Sequence, residues 1–297
     1  MNYILTTQNL TKTYGKKDAA KDINIHVREG EIYGLIGRNG AGKTTVMRVI
    51  SGLSKATSGS YQLHGENKFG VGVLIESPGI YPNMSAEENL RLKCIAMGCN
   101  KQSYIDKLLK TVGLENTGKK NAGSFSLGMR QRLGIALALV GDPKMIVLDE
   151  PINGLDPQGI VEVRHTLEQL KKEKGITIMI SSHILDELNK LADSYGIIHE
   201  GRLVDEFTTE ELSDRCGQYV TIKTDDNERA ASIVKKLGYS DVSIDEEGFV
   251  RVENAIHKTA EINKELVNNN ISVTELFIKN VSLEDYYLSV TGGEHNG

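Results

Sequence analysis

Apolar and polar residues alternate from Ile4 to Asn9, and apolar positions recur at Ile23, Ile25 and Val27, with the polar stretch Tyr14 to Lys17 between them. That period of two predicts strands joined by a loop. After the turn Arg28-Glu29-Gly30-Glu31, the short run Ile32 to Ile36 is apolar, as suits a buried strand. A glycine-rich segment then leads into Val46, Val49 and Ile50 at helical spacing, giving the order strand, loop, helix. A second apolar run, Met145 to Leu148, ends in Asp149-Glu150-Pro151. Ile160, Val163, Leu167 and Leu170 recur at three- and four-residue steps, which predicts an amphipathic helix closed by Lys171, Lys172 and Gly175. Ile176 to Ile180 runs into Ser181-Ser182-His183 and a helix bearing Ile184, Leu188 and Leu191. Tyr195 to His199 turns at Glu200-Gly201 into Arg202-Leu203-Val204. Apolar strands alternating with helices predict an α/β fold with a mostly parallel sheet covered on both faces. Residues from about 80 to 140 read as a mainly helical insertion into that sheet.

Past Asp214 the pattern changes. Tyr219 to Thr224, Val242 to Ile244, Phe249 to Val252 and Ile271 to Ile278 read as strands. Ala230, Ile233 and Leu237 mark one helix, and Ile262 and Leu266 another. The resulting β-α-β-β-α-β order is the split unit of a small α+β ferredoxin-like domain. Two domains are therefore expected, 1–214 and 215–297, with the end Thr291 to Gly297 frayed. The C-terminal part carries no chemical constellation and reads as a structural accessory.

Composition narrows the class. The chain has 297 residues, 25% charged, with a net charge of −5. That describes an ordinary soluble globular protein and argues against a nucleic-acid partner, which needs a positive surface. The apolar run Leu133 to Val140 is far shorter than the roughly 20 residues that cross a bilayer. The N-terminus lacks a secretory pattern. Cys94, Cys99 and Cys216 form no paired motif and read as reduced thiols. Glycine is high, at 30 residues, so the position of the glycines matters.

Gly37-Arg38-Asn39-Gly40-Ala41-Gly42-Lys43-Thr44 fits G-x-x-x-x-G-K-[ST], and Thr45 follows. Glycines here let successive N–H groups point inward as an anion cradle, and the next helix adds its N-terminal dipole. Lys43 is placed to reach the β- and γ-phosphates, and the Thr44 hydroxyl to ligate Mg²⁺. The flanking strand and helix supply the context that a chance glycine-rich turn lacks. Asp149, at the end of a buried strand, suits Mg²⁺ coordination, and Glu150 beside it suits a general base for an attacking water. Alone, such an Asp-Glu pair would more often cap a helix; beside a phosphate loop the catalytic reading prevails.

Together these residues resemble the nucleotide-binding subunit of an ABC transporter over roughly Met1 to Glu210. The resemblance implies a P-loop ABC ATPase fold using ATP and Mg²⁺, with an antiparallel N-terminal β part and the helical insertion. Tyr14 sits where the family stacks an aromatic on adenine. Ser124 to Arg132 is similar to the signature segment, Asn153-Gly154-Leu155-Asp156 to the D-loop, and His183 to the switch histidine that contacts the γ-phosphate. The family implies that Ser126 and the backbone of Gly128 face nucleotide held by a second ATPase subunit, most simply a second copy in a homodimer. It also implies a separate integral membrane permease, and hence a cytoplasmic protein peripheral to the inner face of the cell membrane.

Three departures are informative. Leu127 and Met129 replace the signature's Gly and Gln, which puts those side-chain contacts in doubt. Glu76 stands where the family places the Q-loop Gln and is expected to bind Mg²⁺ or alter water activation. The segment Ile75 to Met84 is similar to the bacitracin and lantibiotic-immunity branch, where Glu at this site is typical, and Ser126 to Met129 and the C-terminal extension point the same way. An exporter of antimicrobial peptides or drugs is implied. Another transported substrate, or a soluble ABC ATPase of repair or translation, is the alternative; neither a long coiled coil nor a second ATPase domain is present. Glu150 and His183 argue against a module that binds ATP without hydrolysing it.

Overall fold

The N-terminal alternation folds as an antiparallel sheet. β1 (Tyr3–Tyr14) returns through Gly15 and Lys16 into β2 (Lys17–Ile23), and β3 (His26–Arg28) pairs with the start of β1. The loop expected at Tyr14 to Lys17 is thus a two-residue hairpin turn, for which Gly15 adopts φ +60°. The first strand also runs beyond Asn9, whose φ of 46° marks an irregularity rather than an end. The computed structural model describes residues 2–64, 70–216, 218–245, 247–280 and 282–292. It divides into two units, Met1–Thr209 and Glu210–Gly297.

In the first unit, β4 (Ile32–Ile36) leads through the glycine-rich loop into α1 (Lys43–Ile50), and β5 (Ser58–Leu63) pairs with β1. β6 (Gly72–Leu74) precedes α2 (Ala86–Ala96), α3 (Gln102–Thr111) and α4 (Leu127–Ala138). Then follow β7 (Met145–Asp149), α5 (Pro157–Lys174), β8 (Thr177–Ser182), α6 (Leu185–Asn189), β9 (Ser194–His199) and β10 (Arg202–Thr208). The second sheet has the order β10-β9-β4-β8-β7-β6, parallel throughout except for the β9–β10 hairpin. Every residue of β4 and β7 is buried, which explains their unbroken apolar character. Val46, Met47, Val49 and Ile50 of α1 share one core with Leu5 and Ile23 of the antiparallel sheet and Leu35 and Val147 of the parallel one. The phosphate-loop helix is therefore clamped by apolar contact with both sheets. α6 is shorter than expected, with Ile184 at its N-cap and Leu191 beyond its end.

The second unit takes up the chain in α7 (Thr209–Cys216), within which the expected division after Asp214 falls. β11 (Gln218–Thr224), α8 (Asn227–Lys236), β12 (Val242–Ile244), β13 (Val250–Glu253), α9 (Thr259–Asn268) and β14 (Val273–Asn280) follow. The sheet order is β12-β13-β11-β14 with every neighbour antiparallel, the topology expected of a split β-α-β-β-α-β unit. Val220, Ile222, Val250 and Val252 bury one sheet face against Ala230, Val234, Ile262 and Leu266. Leu237, expected on the buried face of α8, is instead its partly exposed C-cap. A further helix, α10 (Leu283–Thr291), is held by a capping box between Ser282 and Asp285. It ends at Thr291, the first residue of the tail expected to fray; residues 293–297, Glu246 and the Cys216 side chain lie outside the described residues.

Cys94 and Cys99 are unpaired, and burial pushes the Cys94 thiol up to about 12. Among the described residues no helix is long and apolar enough to cross a membrane.

Candidate nucleotide site

The site lies at the carboxyl end of β4, a central strand of the parallel sheet, where open α/β folds receive ligands. Gly42, the N-cap of α1, adopts φ +113°, and a Cβ there would sit 2.5 Å from the Ala19 carbonyl oxygen. A Cβ on Gly37 would meet the Ile198 carbonyl oxygen at 2.5 Å. Glycine is thus required at both positions by close backbone approach, and at Gly42 by conformation as well. A cavity of 460 Å³ opens over the loop, lined by Asn39, Gly40, Gly42, Lys43, Thr44 and Thr45, with Glu150 and Glu200 among its other walls. Ala41 is buried beneath it, its carbonyl accepting from Gly201 N at 2.9 Å.

Lys43 is only 5% exposed. Its Nζ donates to the Gly37 carbonyl at 2.6 Å and stands 3.2 Å from Glu150 Oε1. Glu150 has φ +51°, so its side chain leaves the end of β7 in a different direction from Asp149. Its other carboxylate oxygen lies 2.8 Å from His183 Nδ1. Lys43, Glu150 and His183 therefore form one polar chain leading from the cavity. Glu150 Oε1 is buried and accepts no hydrogen bond from the described residues, leaving acceptor capacity aimed inward.

A second cluster lies beside the first. The Thr44 hydroxyl donates to Asp149 Oδ2 at 2.7 Å, and the Ser181 hydroxyl donates to Asp149 Oδ1 at 2.5 Å. Ser181 Oγ also accepts from Glu150 N at 2.9 Å, so one β8 side chain orients both acidic residues. Local pattern assigns Ser181 no role, and its place two residues before His183 is the only signal of one in the sequence. Among the described residues no group of three or more His, Cys, Asp or Glu could cage a metal ion. Thr44 and Asp149 instead provide two hard oxygens beside a phosphate cradle, a donor set that fits Mg²⁺, which keeps several waters and substrate phosphates as ligands. The buried Lys43 cation and the cradle fit a nucleotide polyphosphate.

The remaining expected residues lie elsewhere. Tyr14 is half exposed at the end of β1 with Lys12 Nζ 4.9 Å from its ring, and it does not line the cavity. Glu76, which has φ +65°, directs its carboxylate to Arg48 Nη2 at 2.5 Å rather than to Thr44 or Asp149. Ser126 caps α4 by accepting from Met129 N at 3.2 Å, and Gly128 is buried against Gly159 of α5. Asp156 caps α5, its Oδ1 accepting from Gly159 N at 3.0 Å. In the single chain, then, these three residues organise helix starts away from the cavity.

Residues 20–153 match the family described as ABC transporter. The bacitracin transport ATP-binding protein BcrA of Bacillus licheniformis is 42% identical over 302 aligned residues, covering 99% of both chains. The chain belongs to the ABC transporter ATP-binding family. The lantibiotic transport ATP-binding protein SrtF of Streptococcus pyogenes is 46% identical over 206 residues, covering 68% of this chain and 89% of SrtF. Among solved structures, CbiO1 from Clostridium perfringens, part of the ABC transporter complex CbiONQ, aligns with TM-score 0.65 at 28% identity, covering 71% of this chain and 91% of that one. The ADP conformation of the cassette MJ1267 aligns with TM-score 0.63 at 28% identity, covering 71% and 93%. This ABC ATP-binding protein is accordingly an ATPase with the P-loop fold, and its nucleotide cofactor is ATP with Mg²⁺.

Proposed function

We propose that this ATPase drives export of an antimicrobial peptide of the bacitracin or lantibiotic type through a separate membrane permease, giving the cell immunity or resistance. The likeness to bacitracin transport ATP-binding proteins along the whole length, second unit included, carries this reading. Bound ATP and Mg²⁺ supply the phosphoryl group and the charge neutralisation. Lys43 and the backbone of Gly37 to Gly42 hold the β- and γ-phosphates. Thr44 and Asp149 hold the metal, with Ser181 fixing the Asp149 carboxylate. Glu150 would take the proton of the attacking water, and His183, 2.8 Å from its carboxylate, would orient it and lie nearby for the γ-phosphate. Tyr14, outside the cavity lining, would be the residue to stack on adenine, and Asn39, Ala41 and Thr45 would complete the cradle.

Ser126, Gly128 and Asp156 act across the interface with a second ATPase subunit, a homodimer being the simplest arrangement; a dimeric cassette, MJ0796, aligns at 25% identity with TM-score 0.61 over 69% of this chain and 98% of that one. An apolar cavity of 640 Å³ lined by Leu53, Leu74, Ile75, Pro78, Tyr81 and Leu92 supports a permease-docking role for the segment that carries Glu76. Glu76 then couples that docking to the chemistry, and the protein works at the cytoplasmic face of the membrane. Expression with its membrane partner in a sensitive host tests the reading. Resistance to bacitracin or a lantibiotic that disappears with Glu150→Gln is expected; unchanged sensitivity to both classes refutes the substrate assignment.

A further inference from the structure

β14 is the terminal strand of the second unit's sheet. One side pairs with β11 from Gln218↔Asn280 to Thr224↔Val273, and no described strand pairs with the other. An open edge of this length offers its backbone N–H and C=O groups to any extended segment. Phe277 is 42% exposed and Ile278 48%. As neighbours on a strand they point to opposite faces, so the edge is uncovered on both.

Open edges are commonly guarded by charge, and the charges here have a particular arrangement. Glu275 and Lys279 flank Phe277 symmetrically in the sequence Glu-Leu-Phe-Ile-Lys. Antiparallel pairing with an identical strand, centred on Phe277, sets Glu275 opposite the copy's Lys279 twice over. It also sets Leu276 opposite Ile278 twice and Phe277 opposite itself, the self-complementary pattern a two-fold interface demands. Opposite charges and apolar pairs facing each other across strands stabilise the pairing. Slipping the register by two residues in either direction puts Phe277 against Glu275 or against Lys279, so one register is preferred. A basic extended peptide would also suit this acidic unit, in which 17 Asp and Glu outnumber 9 Lys and Arg from Glu210 to Gly297. Such a strand would oppose Lys279 with a like charge, which the copy does not.

We infer that β14 pairs edge to edge with β14 of a second copy of this chain, joining two four-stranded sheets into one of eight strands. A ladder this short buries less than the roughly 1,200–2,000 Å² of a stable interface, so the association is weak and reversible in dilute solution. It needs no nucleotide and is independent of the ATP-dependent pairing proposed above.

The test uses the full-length chain without nucleotide. Opposed residues in an antiparallel pair have Cα atoms about 4.5–5.5 Å apart, within the range a disulfide spans. Phe277→Cys should therefore cross-link to its own copy under mild oxidation, well above wild type and above Ile244→Cys on the opposite edge strand, where Ile244 is equally exposed at 42%. Adding Lys279→Glu should slow that cross-link about tenfold, because like charges then face each other twice. Adding Glu275→Lys as well exchanges the two charges and should restore the rate. Cross-linking of Phe277→Cys no faster than Ile244→Cys, or failure of the charge exchange to restore it, overturns the inference. Circular dichroism of each variant reads folding separately.

Discussion

Lys43 Nζ stands 3.2 Å from Glu150 Oε1, so the phosphate-loop cation is neutralised by the carboxylate proposed as the base. A polyphosphate entering the cavity competes with Glu150 for that cation and also meets its negative charge. Glu150→Gln removes both obstacles. It should bind ATP and ADP about tenfold tighter, equivalent to ~1.4 kcal/mol. Turnover should fall by roughly 10²–10⁴ as general-base assistance is lost. Nucleotide titration by calorimetry beside a phosphate-release assay checks both; normal turnover removes Glu150 from the role of base.

Lys43→Ala acts in the opposite sense. It deletes the cation from the cradle and leaves Glu150 without its ion contact. A charge-assisted hydrogen bond contributes about 1.5–3 kcal/mol, so nucleotide affinity should drop by roughly 10–100-fold. Binding unchanged in calorimetry would mean that the phosphates lie elsewhere.

Ser181→Ala tests the support behind the metal ligands. The hydroxyl donates to Asp149 Oδ1 and accepts from Glu150 N, so its loss frees the Asp149 carboxylate to rotate. Removing such a supporting partner commonly costs about 10–100-fold in metal affinity. The Mg²⁺ concentration for half-maximal ATPase activity should rise by that factor while saturated turnover falls less. An unshifted Mg²⁺ dependence would leave Ser181 a purely structural strand residue.

The sequence made the strand–loop–helix around Lys43 legible because a wholly apolar strand, close glycines and a helical period lie together in the chain. β5 was missed since Ser58-Gly59-Ser60-Tyr61-Gln62-Leu63 is mostly exposed and has no apolar alternation, and β6 since three residues carry no period. α10, which ends at Thr291 where the frayed tail was expected to begin, was missed. Contacts between distant residues were invisible for a different reason. Ser181 reaches Asp149 across neighbouring parallel strands, and Arg48 reaches Glu76 from one turn of α1, neither of which a local pattern encodes.

Burial pushes the Glu31 carboxyl above its ordinary value, even though Arg28 N donates to it at 2.7 Å. The folded chain therefore holds this proton more firmly than the unfolded chain does. Stability from this group is fully present below the ordinary value near 4.5 and is lost as pH rises through the elevated one. Glu31→Gln keeps an oxygen for Arg28 N without the buried charge. Its melting temperature relative to wild type should be higher at neutral pH than at pH 4, read by thermal scans at the two values. A pH-independent difference would show that Glu31 does not titrate in this way.

Glu76 and Arg48 are 62% and 40% exposed, so their ion pair contributes only about 0.2–1 kcal/mol to folding. Glu76→Gln should accordingly leave thermal stability nearly unchanged, which makes it a clean probe of coupling. Its neighbours Ile75 and Ser77 line the apolar cavity offered for permease docking, while β6 just before it pairs with β7, which ends in Asp149. A change at this position can therefore be felt at both the docking surface and the metal site. The isolated chain should keep much of its basal ATPase activity, and the assembled transporter should show altered resistance per ATP hydrolysed. Arg48→Gln frees the same carboxylate without removing it, and it separates the two possibilities. If loss of the Arg48 contact alone matters, both variants behave alike; if the Glu76 charge acts on the metal site, Arg48→Gln shifts the Mg²⁺ dependence of basal turnover and Glu76→Gln does not reproduce that shift.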